Sequence, residues 1–169
     1  VVGDASDVLT GTAFEVLDYA LLSAPGAPLK QALLDAQIGM DVYGSYDDGI
    51  MQPYFDIVAK GTDPDKKEKF VEIIRTTLED IAANGIDRKA LDAGINCMEF
   101  RYREADFSSW PKGLMYSLAV FGNWLYSDEK AFAQVQALPV FEKLKELAGQ
   151  GYFEELIRKY LLDNTHGSV

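Results

Sequence analysis

The chain has 169 residues, is 48% hydrophobic and carries a formal net charge of −11, from 27 acidic and 16 basic side chains. That length suits one domain, which buries about two-thirds of its unfolded surface, and the acidic balance speaks against a nucleic-acid partner. No apolar run approaches the ~20 residues of a membrane-spanning helix, so no membrane contact is expected, and the single Cys97 rules out an intrachain disulfide.

Val8, Phe14, Leu17 and Leu21 recur at helical spacing and predict a first helix over 4–22, capped by Ser6 or Asp7. "SAPGAP" (23–28) then breaks the pattern. Pro25 should end the first helix, and Pro28 is placed to begin a second running to about Ala36. Next the period changes. Ile38, Met40 and Val42 alternate as a strand does, "GSYDDG" (44–49) supplies a turn in which Asp48-Gly49 could take positive φ, and a second strand would put Met51, Phe55, Ile57 and Ala59 on one face. Pro53 would confine that strand to an edge or a bulge.

From Asp63-Pro64 onward every element reads as helical. Phe70, Ile74, Leu78 and Ile81 form one buried stripe, stopped by Asn84-Gly85, and Leu91, Ile95, Met98 and Tyr102 form another after Asp87. Beyond the irregular "ADFSSWPKG", Leu114, Leu118, Phe121 and Leu125 mark a strongly apolar helix, expected to be central to the core. Helices over 139–150 and 152–164 complete the order. The pattern predicts an α+β fold, with helices packed on one face of a small antiparallel sheet. The opening "VVG" reads as the end of a strand and the closing "NTHGSV" as a turn entering one, so the sheet is expected to be truncated at both ends. With Val in place of an initiating Met, the chain reads as a fragment of a larger protein.

Little in the residues points to catalysis. One His (His166) and one Cys (Cys97) cannot furnish His-x-x-Glu-His or Cys-x-x-Cys metal motifs, and a nucleophile–His pair would depend on a histidine in a polar tail. "GTDPDK" lacks the spacing of a phosphate cradle. The adjacent acids Asp47-Asp48 and Glu154-Glu155 read as solvated, and Arg101, Arg103 and Glu104 as a structural ion-pair group. No catalytic, cofactor or metal residue is assigned, and the lone cysteine suits the cytoplasm or another reducing compartment, an organelle included.

Three stretches nevertheless resemble one family. "LDYALLSAPGAPLKQALLDAQIGMDVYGSYDDGIMQPYFDIVAKG", "MEFRYREADFSSWPKGL" and "YLLDNTH" look like the pitrilysin/insulysin zinc peptidases, in their presequence-protease branch. Specifically, the chain resembles the second, zinc-free domain of the amino-terminal half of such enzymes. The resemblance implies that residues 1–169 are a single non-catalytic, pitrilysin-type domain, inactive alone and with no cofactor of its own. Zinc is expected in the parent enzyme. The implied partners are the zinc-bearing domain, the carboxy-terminal half of the parent and the peptide substrates.

In insulysin-like relatives a corner and a following strand hold the amino-terminal end of the substrate. The matching positions here are 23–26 and the strand residues Val42, Tyr43, Gly44 and Ser45, although the relatives' glycine pair and flanking charges are not reproduced. Two other readings stay open from the residues: an independent acidic adaptor that binds basic peptides or proteins, and a complete small enzyme.

Overall fold

The computed structural model describes residues 1–105 and 107–169; Asp106, which falls within the second of the quoted stretches, lies outside the described residues. The elements follow in the order α1 (Val8–Asp18), α2 (Pro28–Asp35), β1 (Asp41–Asp47), β2 (Tyr54–Lys60), α3 (Lys67–Asn84), α4 (Arg88–Glu104), α5 (Lys112–Trp124), α6 (Leu138–Leu147) and α7 (Tyr152–Leu156). Two of these helices run on into π-helical turns, α1 through Tyr19–Ser23 and α7 through Ile157–Leu162. The strands form one antiparallel hairpin, in register from Asp41 opposite Lys60 to Asp47 opposite Tyr54. The α+β expectation, with helices on one face of a small sheet, holds.

α1 is the centre of the domain. Asp7 caps it, its carboxylate accepting the Thr10 N–H (3.1 Å) and hydroxyl (2.7 Å), which satisfies an otherwise orphaned helix-start donor. Ala13, Phe14, Val16, Leu17, Ala20 and Leu21 are then all buried, because protein packs against the helix from several sides. The hairpin, α4 and α6 lie against it. From the first strand the hairpin lays Val42 and Tyr46 on this core, and from the second Phe55, Ile57 and Ala59. Tyr43 and Ser45 face solvent.

The corner between α1 and α2 is a tight turn built from Pro-Gly. The Ala27 N–H returns to the Ala24 carbonyl at 3.0 Å, and Gly26, at φ +73°, takes the left-handed position that such a turn reserves for glycine. Pro28 then occupies the first turn of α2, where a missing N–H costs nothing. This turn folds α2 back so that Leu29 and Leu33 reach the core.

Three sequence expectations give way to other geometry. Ile38 is not a strand residue: Gln37 adopts φ +55°, its N–H and that of Ile38 bond back to the carbonyls of Leu34 (2.9 Å) and Leu33 (3.1 Å), and Ile38 is buried as the apolar member of this helix cap. The alternation therefore breaks at Met40, which is exposed, and the strand begins one residue later. Met51 and Pro53 precede β2 instead of joining its face, so proline takes nothing from the ladder; its carbonyl accepts the Val2 N–H at 2.7 Å. Neither Asp48 nor Gly49 takes positive φ; the Asp47 carboxylate instead receives the Gly49 N–H at 2.8 Å.

The larger correction concerns α5. It is helical where expected, yet Leu118, Phe121 and Leu125 are 54%, 55% and 76% exposed, and so is half of Leu114. An apolar circumference makes a helix suited to burial without saying by what. Here α1 fills the centre, and among the described elements α5 packs mainly against the two short turns that follow it, Asp128–Lys130 and Gln134–Gln136.

Leu17→Ala is therefore expected to lower the unfolding free energy by about 2–5 kcal/mol, whereas Leu118→Ala should change it by less than about 0.5 kcal/mol. Denaturant midpoints of the two variants check this. Equal losses would restore α5 to the core.

Candidate functional site

The four sequence-nominated positions, Val42, Tyr43, Gly44 and Ser45, lie in the first half of β1 and divide by strand periodicity. Val42 is fully buried and anchors the strand on the core. Gly44 faces the same way. A Cβ there would collide with Leu22 of the π-turn and with the Asp56 carbonyl, so this glycine serves the close approach of α1 and the hairpin to one another. Tyr43 and Ser45 point outward, and the Ser45 hydroxyl donates to the Asp56 carboxylate across the hairpin at 2.5 Å. The corner residues Ser23, Pro25 and Gly26 are exposed nearby in the fold, and the Ser23 hydroxyl reaches Asp18 at 3.4 Å.

Ser45 also stands on the rim of a cavity of about 560 Å³, enclosed by α1, the hairpin turn, α4, α5 and the Gln134–Gln136 turn. Aromatic and aliphatic side chains, among them Tyr46, Tyr102 and Phe141, form much of its wall. Its charged groups are Asp7 at the start of α1, Glu15 and Asp18 along that helix, Asp48 from the hairpin turn and Arg101 from α4. The same helix geometry that buries one face of α1 turns Gly11, Glu15 and Asp18, spaced four and three residues apart, toward this cavity.

These carboxyls are electrostatically unusual. Glu15 keeps solvent access through the open cavity, but crowding by protein pushes its carboxyl up to about 7; Asp48 adds repulsion and Arg101 partly offsets it. Burial likewise raises Asp18 to about 6, against the opposing Ser23 hydrogen bond, and its Oδ1 is enclosed with no hydrogen-bond partner. Asp48 is raised by burial although Gln134 donates to it at 2.7 Å. The Tyr46 hydroxyl is pushed upward by burial and by the nearby acids.

The remaining nominated groups are structural. The ion-pair group forms around Glu99, which is buried and receives Arg103 (2.5 Å) and Lys145 (2.6 Å). Arg101 points into the cavity instead, and the Glu104 carbonyl receives Lys112 (3.0 Å). Of the acids expected to be solvated, Asp48 is half-buried in the cavity wall and Glu154 accepts the Ile86 N–H at 3.0 Å. His166 lies in the tail, its N–H on Asn164 (2.7 Å), and Cys97 on α4. Among the described residues no three His, Cys, Asp or Glu side chains are grouped to hold a metal ion, and no helix is long and apolar enough to cross a membrane.

Glu15 and Asp18 escaped the sequence reading, which followed only the apolar stripe of α1. The 4-3 spacing of Gly11, Glu15 and Asp18 was the available signal.

The profile of the family described as "Peptidase M16 inactive domain" matches residues 3–97. "Protein HypA" of Clostridium perfringens is 41% identical over 169 residues, which is all of this chain and 17% of that protein. "Presequence protease 1, chloroplastic/mitochondrial" of Arabidopsis thaliana is 33% identical over 165 residues, 95% of the chain and 15% of its own length. "Presequence protease, mitochondrial" of Danio rerio is 25% identical over 98% of the chain and 16% of its own length. The chain thus spans about a sixth of the relatives it matches.

A carboxyl that holds its proton more tightly in the folded state leaves stability intact below its unfolded pKa, and stability falls as pH rises toward the folded pKa. A raised Glu15 carboxyl should therefore cost the domain stability progressively between about pH 4.5 and 7, and by less than full burial would impose because the side chain is exposed to solvent. Glu15→Gln should remove this component, so that its thermal midpoint exceeds the wild type's at pH 8 and the two converge near pH 4. Parallel midpoint curves for the two proteins would contradict the assignment.

Proposed function

The chain belongs to the peptidase M16 family, as an inactive domain, and on that premise we propose that residues 1–169 form one non-catalytic wall of a larger, presequence-protease-like zinc endopeptidase. In this reading the domain holds peptide and does not cut it. The zinc belongs to the parent's catalytic domain: His166 and Cys97 lie apart on the tail and on α4, and no donor set for the ion is grouped among the described residues. The zinc-bearing domain and the carboxy-terminal half of the parent are its partners, and peptides its ligands. A reducing compartment, the cytoplasm or an organelle, suits the single cysteine. The relatives named mitochondrial or chloroplastic favour the organelle.

The observation that carries the peptide-holding role is the position of β1. A two-stranded hairpin leaves each strand one edge that no other described strand covers, and extended peptides add to such edges by main-chain hydrogen bonds, largely independent of their sequence. Val42 and Gly44 fix the strand against α1 while Tyr43 and Ser45 face outward. A peptide laid along 42–45 runs toward the cavity rim, where Glu15, Asp18 and Asp48 favour a basic side chain over an acidic one.

Gly44 is the wrong position at which to test this, because any side chain there disturbs the packing on Leu22. Ser45→Lys leaves the core alone and sets a cation at the rim. In the parent enzyme it should raise KM for long basic peptides on the order of tenfold, equivalent to about 1.4 kcal/mol. Peptides too short to reach this domain should be unaffected. A folded variant with the same KM ratio as the wild type for long and short substrates would refute peptide binding at β1.

A further inference from the structure

α5 is built inside out. Its one buried residue is Asn123, 2% exposed, whose Nδ2 has no hydrogen-bond partner, while Leu114, Tyr116, Leu118, Phe121 and Trp124 are exposed. The exposed set continues on both sides of the helix, from Trp110 to Tyr126 and Phe132. From Phe107 to Tyr126 the only charged residue is Lys112. Beside the stripe runs a groove of about 570 Å³, walled by Tyr102, Tyr116, Val120, Phe121, Trp124 and Phe132, with Phe121 and Trp124 stacked at 6.0 Å. A patch centred on aromatic rings, with Lys112 the single charge from Phe107 to Tyr126, has the composition of an interface core.

We propose that this face is an internal interface, covered by an apolar helical stripe from another part of the polypeptide in which this chain is a domain. The inference rests on the reading of the chain as part of a longer peptidase. Leu114, Leu118, Phe121 and Leu125 are spaced four, three and four residues apart, the repeat that lets a second helix lie alongside at a shallow angle. The groove gives a neighbouring apolar side chain a place to insert.

Two observations select this occupant. A second copy of the chain would bring a net charge of −11 against another −11, which opposes association at long range. The relatives align with 95–100% of this chain, α5 included in the one aligned throughout, yet more than four-fifths of each lies outside the match. A surface carried on the same polypeptide meets α5 at a high effective concentration, with no partner to recruit.

The test is alkylation of Leu118→Cys in the native full-length parent, followed at that site by mass spectrometry. Because Leu118 is half-exposed here, the substitution leaves the domain's own packing intact, and Phe121→Cys provides a second probe. Both thiols are expected to react at least tenfold more slowly in the full-length protein than the same thiols in residues 1–169. Equal rates would overturn the proposal, and so would protection that disappears on dilution, which would assign the face to a second copy. The readout is independent of peptide kinetics. Protection without a Ser45→Lys effect defeats only peptide binding at β1, and equal rates with that effect present defeat only the interface.

Discussion

Phe14 meets rings from the hairpin and from the carboxy-terminal end of the chain, both distant from it in sequence. Its ring stacks on Tyr46 at 5.6 Å, lies 6.0 Å from Phe55 and meets the edge of Tyr160 at 5.7 Å, so both strands and the carboxy-terminal π-turn converge on one side chain of α1. The side chain is wholly buried. A two-stranded hairpin has marginal stability alone in water, and this one becomes a fixed element because aromatic packing on α1 holds it. The domain is best understood as one helix sheathed by the rest, with Phe14 the point at which the sheath closes.

That constraint also places the candidate site. Burial of one face of α1 dictates that the opposite face, bearing Gly11, Glu15 and Asp18, lines the cavity beneath the hairpin turn. The close fit of Gly44 to Leu22 fixes the height of β1 above α1. Together they set the outward side of the strand next to a group of raised carboxyls. The same packing leaves α5 outside, since the centre of the domain is already filled.

Much of the fold was legible in the sequence because local chemistry and tertiary structure agree there. The Asp7 cap, the helix restart at Asp87, the Pro-Gly corner, Pro28 at a helix start and Gly85 at a helix end are short-range signals, and each is used as read. Ile38 misled because an apolar residue two positions before Met40 fits a strand alternation and a helix cap equally well; the left-handed Gln37 decides between them. Leu118 misled for a different reason. Hydrophobicity reports that a surface avoids water and carries no information on whether the cover lies within these 169 residues. The cavity acids were hidden because charged residues between apolar ones read as a solvated face, until α4 and the hairpin turn join α1 around one cavity. The resemblance reached the family through whole phrases of sequence, which periodicity alone could not supply.

The central claim is that α1 holds this domain together while α5 stands outside its core. Native-state hydrogen exchange resolved along the chain tests it most directly, because amides in the core open only with global unfolding and those in weakly packed helices open locally. In residues 1–169 the amides of 12–22 should exchange slowest, at the rate of global unfolding, and those of 115–124 fastest among the long helices. Protection of 115–124 equal to that of 12–22 would contradict the account.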